Sequence, residues 1–288
     1  MILVLAIGIG TGCVYALVAM GYSLLYRTTG IINFAQGGYV VLGGVGAYWF
    51  TTNVGLPYPL AVVAAVVLTG LVSLCFWLVV VVPLWRRGSE PYVTLLATVV
   101  TAALLTDLIQ LVLTDEPVTT PPWIPGFTVN VGGNRIPGQY AIVVVAAVAL
   151  IAFVAWTVRT TPIGRAMRAC AASRSTSRLL GVNPERVGAL AMTLTGLLSG
   201  LGGALIAPAQ LTSADQGLVY GIFGFAAAVI GGLGNLWGAL AGGLIVGLIQ
   251  AATDRYISAN YETVIVLGVL LVLLTVRPRG LFGVAEFD

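Results

Sequence analysis

The sequence predicts an all-α fold, a polytopic membrane helix bundle of about eight or nine spans that includes a glycine-rich re-entrant or paired short-helix region. Three observations predict it. Of 288 residues, 59% are hydrophobic and 8% are charged, whereas a soluble domain carries about 25% charged residues. Long intervals carry no charge at all, and because a charge at the bilayer centre costs roughly 2.5–3.5 kcal/mol, such intervals mark where the chain can cross. The positive charges gather in short segments between those intervals.

Met1 to Tyr26 has no side-chain charge and no basic leader region, and it runs into Arg27 rather than a small-residue cleavage site. It reads as a retained first span. Residues 28–85 form an uncharged interval of 58 residues, too long for one helix and suited to two, with a break at TTNVGLPYP. There Asn53, Gly55, Pro57 and Pro59 punctuate the chain. A fourth span runs from about Tyr92 to Leu113 and a fifth from Tyr140 to Val158. Between them, the proline- and glycine-rich segment 114–139 reads as an exposed external loop. A sixth span covers about Val187 to Leu211. Residues 216–253 are another 38 without charge, followed by a last apolar segment ending at Val276. The whole chain, 1–288, reads as one transmembrane domain.

Short positively charged loops stay cytoplasmic, which sets the orientation. With the N-terminus outside, Arg27, Arg86, Arg87 and the basic stretch 159–186 fall inside. If residues 216–253 cross once, Arg277 and Arg279 end outside. If they enter and return as two short helices around IGGLGN, eleven of the thirteen arginines lie inside, and only Arg135 and Arg255 lie outside. The paired arrangement is preferred, because a helix break at membrane depth is tolerated where protein or a water-filled cavity surrounds it.

Residue types exclude whole chemistries. Arginine supplies all 13 positive charges, and the chain has neither lysine nor histidine. Without lysine there is no GxxxxGK[ST] nucleotide loop and no Schiff base. Without histidine there is no Ser-His-Asp triad, no HExxH zinc site and no histidine-ligated haem. Cys13, Cys75 and Cys170 lack CxxC spacing and read as small hydrophobes. The chain is therefore not expected to be an enzyme or to bind a cofactor or metal itself, and nothing points to nucleic acid.

Three segments could carry function. Small residues recur at helical spacing: Gly8 with Gly12, Gly196 with Gly200, Gly217 with Gly221, and the series Gly234, Gly238, Gly242. In lipid, close backbone approach at such faces drives helix association, inside the bundle or at an oligomer interface. In the basic loop, Thr161 can cap a helix beginning at Pro162, Gly181 is a natural stop, and Asn183 can cap the next span, with Pro184 and Glu185 in its first turn. The loop's arginines either enforce topology and touch anionic lipid or dock on another protein. Finally, Asn33 and Gln36 open the second span beside Gly37 and Gly38; buried amides either bond to neighbouring helices or line a polar path. Asp107, Gln110 and Glu262 lie near span ends, so proton coupling is not assigned to them.

The segment GYSLLYRTTGIINFAQGGYVVLGGVGAY resembles the signature of the LivH-type permeases of branched-chain amino-acid ATP-binding-cassette importers. The segments GRAMRACAASRSTSRLLGVNPERV and AAVIGGLGNLWGALAGGLIVGLIQ resemble the same family, in order and at suitable distances. The resemblance implies an inner-membrane permease subunit in a bacterial cytoplasmic membrane. Its implied partners are a second homologous permease subunit, two cytoplasmic ATPase subunits that bind ATP and Mg, an external solute-binding protein and the lipid bilayer. It places the ATPase-docking loop on Gly164, Arg165, Ala166, Arg168, Ala169 and Gly181. Asn33, Phe34 and Gln36 match the signature, as translocation-path residues or as shapers of the helix start. The implied cargo is branched-chain or related hydrophobic amino acids; relatives with similar signatures carry urea or short amides. A self-contained secondary transporter is the remaining alternative.

Overall fold

The computed structural model describes residues 1–131 and 134–283, and its first helix is the axis about which the others pack. Helix α1 (Ile2–Thr29) is apolar all round, and every residue from Gly10 to Leu25 is buried, as expected of a helix surrounded by other helices. After it come α2 (Gln36–Thr52) and α3 (Tyr58–Phe76). A π-helical turn, Trp77–Val81, joins α3 to α4 (Val82–Arg86) in one continuous span. Pro83 accounts for the turn, since its missing N–H breaks the regular bond to the carbonyl four residues back.

Helix α5 (Pro91–Val112) leads into the outer loop, which holds a two-stranded antiparallel hairpin of β1 (Thr128–Val131) and β2 (Asn134–Pro137). The segment 114–139 is therefore not wholly irregular. Alternating side chains on either side of Gly132-Gly133 are a hairpin signal. Helix α6 (Gln139–Thr160) returns to the arginine-rich end, where α7 (Pro162–Ala172) and α8 (Arg174–Leu179) form the basic loop. Helix α9 (Pro184–Ile206) follows. It ends five residues before the expected Leu211: Ala207 still has helical backbone angles and donates to Gly203 O at 3.0 Å, but Pro208 has no N–H with which to continue the ladder.

Helices α10 (Gln216–Gly231) and α11 (Leu236–Tyr256) settle the crossing of residues 216–253: they form an antiparallel pair that enters and returns. A Cβ at Gly238 would overlap the Gly231 carbonyl oxygen, and one at Gly242 that of Ala227. Gly234 has a different place: it lies in the connecting turn with φ +88°, and the nearest atom to a Cβ there would be Arg27 Cβ at 3.8 Å. Its conformation is one that favours glycine. After a 3₁₀ turn (Ala259–Tyr261), α12 (Glu262–Val276) runs back to the same end. There Leu281 N–H donates to Ile230 O at 2.8 Å and Asn235 Nδ2 to Phe282 O at 2.9 Å. Arg277 and Arg279 thus share an end with Arg27, Arg86 and the basic loop.

Glycines allow the helix axes to approach within backbone contact. Gly8 and Gly12 of α1 face Gly247 and Gly243 of α11; Gly43 of α2 faces Gly200 of α9; Gly37 meets Gly217 and Gly221 of α10. At the opposite end, Tyr15 Oη donates to Gln250 Oε1 at 2.6 Å and Gln250 Nε2 to Glu262 Oε2 at 2.8 Å, which ties α1, α11 and α12 together.

Candidate functional site

Helix α2 has 17 residues, about 25 Å, and is shorter than the hydrocarbon layer of about 30 Å. It starts inside the bundle. Gln36 Nε2 donates to Val18 O, and a Cβ at Gly21 would overlap Gln36. Val18 and Gly21 lie nine and six residues before Arg27, or about 9–14 Å of helix rise from the arginine-rich boundary. The connecting residues 30–35 therefore climb back to membrane depth as non-helical chain, surrounded by protein as such a segment requires.

The three residues singled out from the sequence fall into two groups. Asn33 and Gln36 are fully buried. Asn33 Oδ1 accepts from Ala35 N–H at 3.1 Å, which turns the chain into α2, and its Nδ2 lies 3.6 Å from Met192 Sδ. Phe34 is only partly buried, and its N–H donates to Thr98 Oγ1 of α5 at 3.2 Å. Its ring joins Tyr22 and Phe225 at centroid separations of 6.4 and 5.4 Å. Phe225 continues a stripe on α10 through Ile222 and the exposed Leu218, residues that share one helical face. Phe34 is the member of the trio that reaches an accessible surface.

At the arginine-rich end, the basic loop is built from three caps, of which those at Thr161 and Asn183 were legible in the sequence. Thr161 Oγ1 accepts from Gly164 N–H at 3.2 Å, Ser173 Oγ from Thr176 N–H at 3.3 Å, and Asn183 Oδ1 from Glu185 N–H at 3.0 Å. Gly181, at φ +80°, forms the stop between α8 and α9. Gly164, Met167 and Cys170 make the buried face of α7, and a Cβ at Gly164 would overlap the Val158 carbonyl. Ala166 and Ala169 are half-buried. Arg165 points to solvent, whereas Arg168 turns inward and donates to Val158 O.

Two features of this loop escaped the sequence reading. Leu179 and Leu180 stand 88% and 74% exposed at the tip of α8. Glu185 fastens the loop's far end: it forms an ion pair with Arg86 at 2.7 Å and lies 4.0 Å from Arg178, while its backbone carbonyl accepts from Trp77 Nε1 at 3.1 Å. A cavity of about 920 Å³ opens beside this knot, lined by Thr29, Ile32, Trp85, Arg178 and Glu185 among others. It reaches Gly30, Ile31 and Ile32, at the start of the connecting segment 30–35.

The family model described as branched-chain amino acid transport system / permease component matches residues 4–275. The chain is 28% identical to the high-affinity branched-chain amino acid transport system permease protein LivH of Escherichia coli K12, over 98% of this chain and 95% of that protein. It is likewise 28% identical to BraD, the corresponding permease protein of Pseudomonas aeruginosa, with the same coverage. Among solved structures, PsaBC from Streptococcus pneumoniae in complex with Fab matches with a TM-score of 0.53 and 11% identity, over 95% of this chain and 91% of that one. That likeness is one of fold.

Proposed function

Since the chain belongs to the family of permease components of branched-chain amino acid transport systems, we propose how this subunit turns a partner's ATP hydrolysis into transport. It is a membrane-spanning permease of an ATP-binding-cassette importer for branched-chain amino acids, and it works with an ATPase and a solute-binding protein. In our reading two ATPases serve two homologous permease subunits, and ATP and Mg bind only to the ATPases. The docking loop is the segment 159–186. Its contact face is Arg165 with the exposed Leu179 and Leu180, while Gly164, Ala166, Arg168, Ala169 and Gly181 shape and seat the segment.

The observation that carries this reading is the Arg178–Glu185–Arg86 knot. One carboxylate ties α8 to the first turn of α9 and the last turn of α4. A displacement of the loop by the ATPase therefore reaches two spans at once. Both pack around α2, whose start sits at membrane depth beside Phe34. Rocking these spans against the second permease opens the path to one side at a time; this requires the loop to bind the ATPase differently in its two states. Asn33 and Gln36 hold the start of α2, and Phe34 faces the path.

The reading is tested by ATP-driven uptake into proteoliposomes that contain this permease with its partner permease, ATPase and binding protein. Accumulation of leucine, isoleucine or valine, with no accumulation of urea or acetamide, is the expected result. Uptake that persists without the ATPase would instead identify a self-contained transporter.

A further inference from the structure

A second cavity, of about 750 Å³, lies at the arginine-rich end on the other side of α1. Three arginines from three elements line it: Arg27 at the end of α1, Arg159 at the end of α6 and Arg168 of α7. The turn between α10 and α11 closes it with Gly234, Asn235 and Trp237. Among the described residues no carboxylate lines it, and neither Arg27 nor Arg159 has an ion-pair or hydrogen-bond partner. Gathering cations around one opening without a counter-charge costs free energy through mutual repulsion. An anion in the opening offsets that cost.

The setting specifies which anion. The cavity sits where three spans end, at the level where Trp and Tyr anchor membrane proteins, and its wall includes Tyr26 and Trp237, which are 39% and 45% exposed. Above Arg159, on the same face of α6, stand the exposed apolar residues Ala152, Val148 and Val145, at the spacing that keeps side chains in one row. A ligand with an anionic head in the cavity and apolar tails along α6 matches both halves. The first turn of α11 adds the positive end of its helix dipole to the cavity. A soluble acidic partner would match the head alone.

We propose that this cavity binds the phosphate headgroup of an anionic phospholipid of the cytoplasmic leaflet, with the acyl chains lying along the Val145–Arg159 face of α6. The lipid then bridges α1, α6, α7 and the α10–α11 turn at the root of the docking loop.

The test is native mass spectrometry of the full-length chain, released from micelles doped with 1-palmitoyl-2-oleoyl phosphatidylglycerol or with phosphatidylcholine of the same chains. The wild type should retain the phosphatidylglycerol preferentially, and Arg27→Gln with Arg159→Gln should reduce that preference about thirtyfold, as about 1 kcal/mol for each of two arginines near an anionic surface implies. These two positions are chosen because Arg168 also bonds to the Val158 carbonyl, so that its replacement would disturb α7. Arg27→Lys with Arg159→Lys, which keeps the charge, should retain the preference and controls for folding. Arg277→Gln with Arg279→Gln, at the same end of the bundle, should also leave it intact. Equal retention of both lipids by the wild type, or unchanged preference in the double glutamine variant, would overturn the proposal. So would displacement of the lipid by millimolar inorganic phosphate, which would assign the cavity to a soluble anion. Preference that emerges only after Glu286→Gln and Asp288→Asn would assign it to the chain's own tail. Loss of ATPase association with lipid retention unchanged would assign it to the ATPase.

Discussion

Arg86 and Glu185 meet through two hydrogen bonds, Nε to Oε1 at 3.3 Å and Nη2 to Oε2 at 2.7 Å, and so join the ends of α4 and α9 across 99 residues of chain. The pair is exposed, with the Arg86 side chain 68% accessible, and exposed ion pairs contribute little to stability. Its geometric role is the greater one. It fixes where the basic loop re-enters the bundle.

Glu185→Gln should therefore leave insertion and melting temperature close to wild type, while amino-acid uptake per ATP hydrolysed falls by about threefold to tenfold, the scale on which mutations change energetic coupling. The reciprocal exchange Arg86→Glu with Glu185→Arg should recover much of that ratio. Uptake and hydrolysis measured together in proteoliposomes check both statements.

The tight helix crossings predict opposite signs at two glycines. Gly43 packs on the backbone of Gly200, where a Cβ would overlap the carbonyl, so Gly43→Val should destabilise the bundle by about 1–3 kcal/mol. Gly268 in α12 has nothing within 4 Å of a Cβ. Gly268→Ala should raise stability by up to about 1 kcal/mol through helix propensity. Thermal unfolding of both variants in one detergent measures the difference.

Phe34 and Gln36 are two residues apart and should separate by phenotype. Gln36→Leu removes the bond to Val18 O in the bundle interior and should cost about 1 kcal/mol of stability. Phe34→Ala, at a partly open surface, should alter the uptake rate with a smaller change in melting temperature. Paired melting curves and initial uptake rates would reveal whether the two effects part in this way.

The antiparallel α10–α11 pair places its turn with the arginines. Trp237→Cys should react with a membrane-impermeant thiol reagent applied from the cytoplasmic side and not from outside. Native Cys13 and Cys170 are buried, which keeps their background low; Cys75 should be replaced first. Labelling from outside would reverse the assigned topology.

Much of this was legible in the sequence because membrane physics leaves few options. Charge-free intervals located the spans, and arginine placement favoured the paired arrangement of residues 216–253. The caps at Thr161 and Asn183 were visible because capping is local chemistry. Other features depended on residues distant in sequence. Glu185 was legible only as a first-turn acid, since its partner Arg86 belongs to another span. The π turn at Trp77–Val81 has no periodic signature, although Pro83 marks its neighbourhood. Gly234, Gly238 and Gly242 look equivalent at helical spacing, yet α11 begins at Leu236, which leaves Gly234 in the turn. The hairpin at Thr128–Pro137 was hidden by the proline- and glycine-rich composition around it. The exposed pair Leu179 and Leu180 was not singled out, because two adjacent leucines carry no distinguishing signal until the fold places them outside the bundle.

The central claim is that ATP-derived motion enters through the tip of α8. Co-purification of the ATPase with the Leu179→Ser, Leu180→Ser variant tests it most directly, with membrane insertion verified in the same preparation. The account predicts at least about a tenfold loss of bound ATPase, the scale expected for removing central apolar anchors from an interface. Wild-type association of a correctly inserted variant would contradict it.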